Sequence, residues 1–314
     1  MFERFLEEIQ RHDRIIIHRH TNPDGDAMGS QIGLKHILRD AFPNKEILVV
    51  GDLSPRFAFM EDSKMDEASD EQYADALAVI LDTSAAALIS DSRYQLAHRT
   101  VRIDHHIFCE QIADVEITDT SYESCCGLIT ELALECGFSI SPLAAKSLFT
   151  GMVTDSGRFR YDSTSSNTFR LASALMKVPF DTASIYSNLY ADDFSFIRLR
   201  AQFVLKIQLT GHRVAYIYTD REEAKSYNAD TFTISRGMVN TMGDIRGVDI
   251  WVNFTETDGG VLAELRSNRY NINPIAAKYG GGGHAKASGA TLKNREEAMA
   301  MLEDLNAFDK ELNQ

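Results

Sequence analysis

The sequence predicts an α/β protein of two lobes, an N-terminal parallel-sheet lobe and a smaller C-terminal α/β lobe with a mixed sheet. Three observations predict it. The 314 residues exceed what most single cores hold, since domains cluster at roughly 100 to 150 residues. The first half alternates short β-rich runs with helical patterns, the rhythm of parallel strands with covering helices. Beyond Gln208 the pattern changes to alternating strands with a glycine cluster near the end.

In chain order, RIIIHRH reads as a strand, followed by a polar loop and a helix, GSQIGLKHILRDAF, entered near Gly29-Ser30. KEILVVGD, ALAVILDTS and TVRIDHH supply further strands, with AAALISDS read as helical. SCCGLITELALECG and SPLAAKSLFTGMVTDSG read as helices, the first stopped by Gly137 and the second started by Ser141-Pro142. From about Ser184 to Gln208 apolar positions recur at mixed three and four spacing, which predicts a connecting helix. The expected domains are therefore 1–188, a helical linker 189–208, and 209–314. In the last of these, HRVAYIYTD, VDIWVNFTE and GVLAELRS are strands, with helical ISRGMVNTMGDI between the first two.

Apolar residues at 44% and charged residues at 25% are ordinary for a globular chain, so the whole length is expected to fold. MFERFLEEIQRHDR lacks the apolar core of a signal peptide, and no apolar run approaches the roughly 20 residues that span a bilayer. Cys109, Cys125, Cys126 and Cys136 lack CxxC spacing, which fits reduced thiols in a cytoplasm better than a disulfide framework or zinc knuckle. A net charge of -14 argues against long duplex nucleic acid. A small or short phosphorylated substrate stays compatible, because bound cations supply local positive charge.

Functional groups in open α/β sheets gather at the carboxyl ends of strands. This sequence puts acids and histidines there repeatedly. His20, Asp24 and Asp26 fall in the loop after the first strand, where Pro23 and Gly25 are expected to keep the backbone irregular. Asp82 ends a second strand, Asp104-His105-His106 a third, and Asp155 ends an apolar segment before a glycine. Taken singly, Asp24-Gly25-Asp26 is also a common turn and Asp82 equally a helix N-cap. Together, imidazoles and carboxylates at four such positions suit manganese, iron, cobalt, zinc or magnesium, with manganese or magnesium leading because no cysteine is among them. Two such ions about 3.5 to 4 Å apart lower the pKa of a shared water, and phosphoryl oxygens are their natural target.

HRHTNPDGDAMGS, VILDTS, RIDHH and GMVTDSG resemble, in order, the four motifs of the DHH phosphoesterase superfamily. ELRSNRYNINPIAAKYGGGGHAKASGATL resembles the glycine-rich signature of the associated DHHA1-type C-terminal domain in the subfamily of nanoRNases and pAp phosphatases. The resemblance implies that His20, Asp24 and Asp82 hold one divalent metal ion, and Asp26, Asp82, His105 and Asp155 the other, with Asp82 as bridge. It assigns Asp104 to orienting a histidine and His106 to contacting the phosphate and protonating the leaving oxygen. Arg266, Ser267, Gly282, Gly283 and His284 would hold a substrate phosphate, the loop facing the metals across a cleft. The ions are expected to be manganese, with magnesium, cobalt or iron as substitutes.

What the resemblance implies is hydrolysis of short oligonucleotides, dinucleotides or pAp to nucleoside monophosphates; the oligomeric expectation, a monomer or homodimer, does not follow from it. A cyclic-dinucleotide phosphodiesterase and a catalytically silent nucleotide sensor are the alternatives carried forward.

Overall fold

A computed structural model describes residues 1–307; the end of the expected second domain, 308–314, lies outside the described residues. The chain forms two compact units, Met1–Ala191 and Asp192 onward.

The first unit is built on β1 (Arg14–His18), β2 (Glu46–Val49), β3 (Leu77–Leu81), β4 (Arg99–Asp104) and β5 (Val115–Thr118). They lie in the order β2-β1-β3-β4-β5, every pair parallel. β3 reads LAVIL and is buried throughout, as a central parallel strand covered on both faces must be. The covering helices are α1 (Glu3–Arg11), α2 (Gly25–Ala41), the short α3 (Asp70–Tyr73), α4 (Cys125–Glu135), α5 (Pro142–Asp155), α6 (Ser166–Leu175) and α7 (Thr182–Tyr190).

The predicted helix punctuation is present in α4 and α5. Ser124 caps α4 by accepting from Gly127 N, Ser141 caps α5, and Gly137 follows α4 at φ +68°. α2 and α5 cross closely through glycine. A Cβ on Gly29 would meet Ser147 O at 2.5 Å, and one on Gly151 would meet Cys126 Sγ at 2.2 Å. Cys125 and Cys126 are fully buried here, as core thiols.

Three local expectations need correction. α2 begins at Gly25, not near Gly29-Ser30, because Asp24 caps it through the amides of Asp26 and Ala27. Gly25 is thus helical, and a Cβ there would meet Thr154 Oγ1 at 2.4 Å, so glycine serves close packing and not loop irregularity. AAALISDS forms only a 3-10 turn, Ala86–Leu88, before Ser90 N bonds Arg19 O and Thr21 N bonds Leu88 O. The helix expected across Ser184 to Gln208 breaks at Ala191–Asp193 into α7 and α8 (Phe194–Lys206), and α8 belongs to the second unit, where Leu199 and Phe203 enter the core.

The second unit is a six-stranded mixed sheet of β6 (Gln208–Leu209), β7 (Ala215–Thr219), β8 (Ile250–Thr257), β9 (Gly260–Ser267), β10 (Gly282–His284) and β11 (Ala287–Leu292). The order is β10-β11-β9-β8-β7-β6, with only the β7–β8 pair parallel. α9 (Arg221–Ser226), α10 (Asn273–Lys278) and α11 (Arg295–Asn306) complete it. The predicted helical stretch between β7 and β8 is a π turn, Thr233–Gly237, followed by a 3-10 turn, Val239–Met242. Among the described residues no helix is long and apolar enough to cross a membrane.

Candidate metal centre

Strand order 2-1-3-4-5 puts a topological switch point between β1 and β3, where open α/β sheets hold their ligands. His20 follows β1, Asp82 follows β3, His105 follows β4, Asp24 and Asp26 open α2, and Asp155 closes α5. The fold brings all six side chains together.

His105 Nε2 lies 3.6 Å from Asp26 Oδ2, 3.4 Å from Asp82 Oδ1 and 3.5 Å from Asp155 Oδ2. His20 Nε2 lies 3.5 Å from Asp82 Oδ2 and 3.8 Å from Asp24 Oδ1. Asp82 therefore turns a different oxygen to each imidazole, the disposition of a carboxylate shared between two cations. Each group, His20/Asp24/Asp82 and Asp26/His105/Asp155, presents ligand atoms within 4.8 Å of one another.

Local structure fixes the aim of each side chain. His20 Nδ1 is 2.8 Å from the Thr21 carbonyl, to which its N–H donates, and this leaves Nε2 as the nitrogen that faces the carboxylates. Asp26 is held by the first amides of α4: Cys125 N donates to Oδ2 at 2.7 Å and Cys126 N to Oδ1 at 2.8 Å. A helix N-terminus suits an anion there. Asp82 caps no helix. It sits at φ +50°, a left-handed conformation rare outside glycine and characteristic of strained functional positions.

The electrostatics call for positive charge at this point. Burial, then the neighbouring Asp82 carboxylate, raises the Asp26 carboxyl well above its usual range, and burial raises Asp155 to about 6. Burial would lower both imidazoles, yet carboxylates outweigh it: Asp24 and Asp82 lift His20 to about 10, and Asp82, Asp26 and Asp155 lift His105 to about 10. Burial also opposes ionisation of Asp82, but His105 and His20 hold its carboxyl below the usual range. Asp82 Oδ1 is buried without a hydrogen-bond partner. Carboxylates crowded against imidazoles, with an orphaned buried oxygen at the centre, fit divalent cations, and an all nitrogen and oxygen donor set suits hard or borderline ions.

His106 borders this cluster, its Nδ1 3.6 Å from Asp82 Oδ1 and within ligand distance of Asp82 and His105, but its hydrogen bond goes elsewhere. Its Nδ1 is 2.7 Å from Asp104 Oδ1, and that hydrogen bond raises the imidazole above its ordinary pKa. Asp104 is fully buried while the His106 side chain is 46% exposed, so the imidazole is anchored at Nδ1 and its Nε2 stays accessible. The histidine that Asp104 orients is thus His106.

In the second unit, His284 on β10 pairs with Ala287 on β11, and Ala287 pairs with Arg266 on β9. Residues in one such row point to the same face, so His284 and Arg266 share a face two strands apart, about 10 Å. The Arg266 guanidinium is partly engaged already, donating to Leu265 O, Ser288 O and Glu264 Oε2. Ser267 is buried, its Oγ accepting from Arg269 N and Tyr270 N, and so shapes the turn after β9. Gly282 and Gly283 are exposed, and Gly283 has φ +130° with Ala287 O 2.6 Å from where a Cβ would stand. Asn273 Nδ2 donates to Gly283 O at 2.8 Å and pins the loop.

Residues 14–152 match the DHH family, N-terminal domain, and residues 217–311 match the DHHA1 domain. The chain is 34% identical over 309 residues, 98% of each chain, to the bifunctional oligoribonuclease and PAP phosphatase NrnA of Bacillus subtilis. The chain belongs to the DHH family. Among solved structures, an exopolyphosphatase-related protein from Bacteroides fragilis superposes on this DHH chain with TM-score 0.82 at 28% identity, over 98% of this chain and 95% of that one. A cyclic-di-AMP phosphodiesterase GdpP of Geobacillus thermodenitrificans is 27% identical over 92% of this chain but only 46% of its own length.

Sequence reasoning missed the supports of this DHH site. The Cys125 and Cys126 amides act through backbone, which no residue type announces; the serine before a helical run was the available signal. Arg19 stands between two histidines in HRH, and Asp52 just after KEILVVG, both at strand ends where the same logic could have found them.

Proposed function

We propose that this chain is a two-metal phosphoesterase that hydrolyses short oligoribonucleotides and pAp to nucleoside monophosphates. The gathering of two imidazoles and three further carboxylates around Asp82 carries this reading. Its support on the substrate side is the 34% identity, along the whole chain, to a bifunctional oligoribonuclease and PAP phosphatase. The cyclic-dinucleotide alternative rests on a weaker likeness to a protein of which this chain spans less than half. A silent sensor would have no use for a complete donor set with an accessible, anchored His106.

His20, Asp24 and Asp82 would hold one divalent ion, and Asp26, Asp82, His105 and Asp155 the other, manganese in the first instance. The pair supplies charge neutralisation at phosphoryl oxygens and a water of lowered pKa. The protein residues do the rest. Asp82, at φ +50°, turns Oδ2 to His20 and Oδ1 to His105, so each oxygen would be available to a different ion. Asp104 holds His106 Nδ1, so the proton that His106 delivers to the leaving oxygen leaves from Nε2, and the Asp104 hydrogen bond raises the imidazole pKa in favour of that protonated form. Arg266 and His284, on one face of the second sheet, bind a terminal phosphate beside the exposed amides of Gly282 and Gly283, with Ser267 shaping the strand end. Recognition of one chain end favours short substrates. Four free cysteines are in keeping with a cytoplasmic setting.

The test is chromatographic: products of pAp and of a two- to seven-nucleotide RNA series, with manganese, for wild type and Asp82→Asn. The reading expects AMP from pAp, mononucleotides from RNA with rates falling as length grows, and no turnover by the variant. Equal rates at every length would overturn it.

A further inference from the structure

Two arginines of the first unit, Arg19 and Arg102, have no contact with solvent and no role in the proposed reaction, and Arg19 is the one that borders a residue of the metal centre. Arg19 is 0% exposed, between His18 and His20. A buried guanidinium must be paired and hydrogen-bonded to be tolerated, so its partners show what it holds.

Its Nε donates to Gln31 Oε1 at 3.0 Å, and Gln31 Nε2 donates in turn to Ile17 O and Val50 O at the ends of β1 and β2. Its Nη1 donates to His20 O and to Asp52 Oδ1, both at 3.1 Å, and its Nη2 to Asp52 O at 2.5 Å. Gly51, at φ +138°, lets the backbone pass this close, since a Cβ would meet Nη1 at 3.1 Å. Asp52 then reaches forward: Oδ2 accepts from Asn22 N at 3.0 Å and Oδ1 from Ser90 Oγ at 2.5 Å. Ser90 N donates back to Arg19 O, and Thr21 N donates to Leu88 O.

Every one of these bonds beyond Gln31 ends on, or braces, the backbone of Arg19–Asn22. That segment carries His20 and leads into Asp24, and Asn22 adopts φ +50° within it. No bond of this network reaches the other ligand group. Asp26 is held by the α4 amides, His105 by the end of β4, and Asp155 by the end of α5. The two groups also differ in exposure, the Asp24 side chain being 55% exposed and that of Asp26 1%.

We propose that Arg19, Asp52 and Ser90 form a positioning clamp that sets the affinity of the His20/Asp24 ion site and braces none of Asp26, His105 and Asp155, so that the second site feels it only through the shared Asp82. The inference rests on the two-ion reading above. With Asp52 neutralised, the guanidinium loses its counter-charge and Asn22 N a charged acceptor, so the loop relaxes away from the geometry in which His20 Nε2 and Asp24 face Asp82. Supports of this kind typically change metal affinity 10- to 100-fold.

The experiment is equilibrium Mn2+ binding to the full chain, read by electron paramagnetic resonance of free Mn2+, for wild type, Asp52→Asn, Ser90→Ala and Asp24→Asn, with metal-free melting curves alongside. Asp52→Asn is nearly isosteric at a partly exposed side chain and leaves the buried arginine in place. Ser90→Ala serves where that variant folds poorly. Wild type is expected to bind two ions. The clamp variants are expected to bind one as wild type does and the other at least tenfold more weakly, with melting lowered in Asp52→Asn by the loss of the buried arginine's counter-charge and little changed in Ser90→Ala, and Asp24→Asn to lose that same ion. Two ions bound as in wild type by both clamp variants would overturn the clamp while leaving the two-ion reading intact. Equal weakening of both ions would also overturn it, as a general structural effect. Failure of wild type to bind a pair would overturn the reading beneath it.

Discussion

Asp82 illustrates what one residue can be asked to do. A carboxylate buried between two imidazoles, at a backbone conformation most residues avoid, contributes nothing to the core that an apolar side chain would not do better. We predict that Asp82→Asn, nearly isosteric, loses at least ~10³-fold in turnover, since it changes the charge at the centre of the site. His106 makes a separate prediction with a definite sign. Because the Asp104 hydrogen bond raises its pKa, the proton-donating form persists to higher pH than in a free imidazole and activity falls as pH rises through that raised value. Asp104→Asn removes the charge that raises it, so the alkaline limb of the kcat profile should move to lower pH; a limb that stays in place would assign the proton transfer elsewhere. The identities of these residues were legible in the sequence because imidazoles and acids recur at strand ends. Their pairings were not: that Asp104 serves His106, and that Asp26 faces the α4 amides, follows from distances that one chain's pattern does not encode.

At the scale of elements, the site depends on how closely α2, α4 and α5 approach. Gly151 has Cys126 Sγ 2.2 Å and Asp26 Cα 3.0 Å from where a Cβ would stand. We predict that Gly151→Ala destabilises the fold by about 1–3 kcal/mol, as overpacking of a filled core does. Adding Cys126→Ala should recover part of that loss, because the sulfur is the nearer obstacle. Denaturant unfolding of the two single variants and the double variant measures the coupling, and strict additivity would contradict this packing. The strands of the parallel sheet and the starts and stops of α4 and α5 were readable, since apolar runs and caps are local signals. The start of α2 was misplaced because Pro23 and Gly25 look like loop residues, whereas Asp24 caps the helix and Gly25 is there to clear Thr154. AAALISDS has helix-forming alanines, but its backbone is claimed by the Arg19–Thr21 segment, a tertiary contact that outweighs propensity.

At the scale of the whole molecule, the proposed function divides the chemistry between the two units. The first holds the donor set and the anchored acid. The second offers Arg266, His284 and a glycine loop on one sheet face. Arg266→Ala should therefore raise KM about tenfold, the equivalent of ~1.4 kcal/mol, with Mn2+ stoichiometry unchanged. Loss of a bound ion in that variant would show that the division is wrong. The two-unit organisation was visible from length and the change of strand pattern. The affiliation of α8 was not, because a helix with apolar residues at mixed spacing reads equally as a linker and as a core helix until Leu199 and Phe203 are seen to be buried.

The central claim is that six side chains build one two-ion centre around Asp82. Crystals grown with Mn2+ and measured at the manganese absorption edge test it most directly. The account predicts two anomalous peaks about 3.5–4 Å apart, one beside His20 and Asp24, the other beside Asp26, His105 and Asp155, with Asp82 between them. A single peak, or a pair that Asp82 does not bridge, would contradict it.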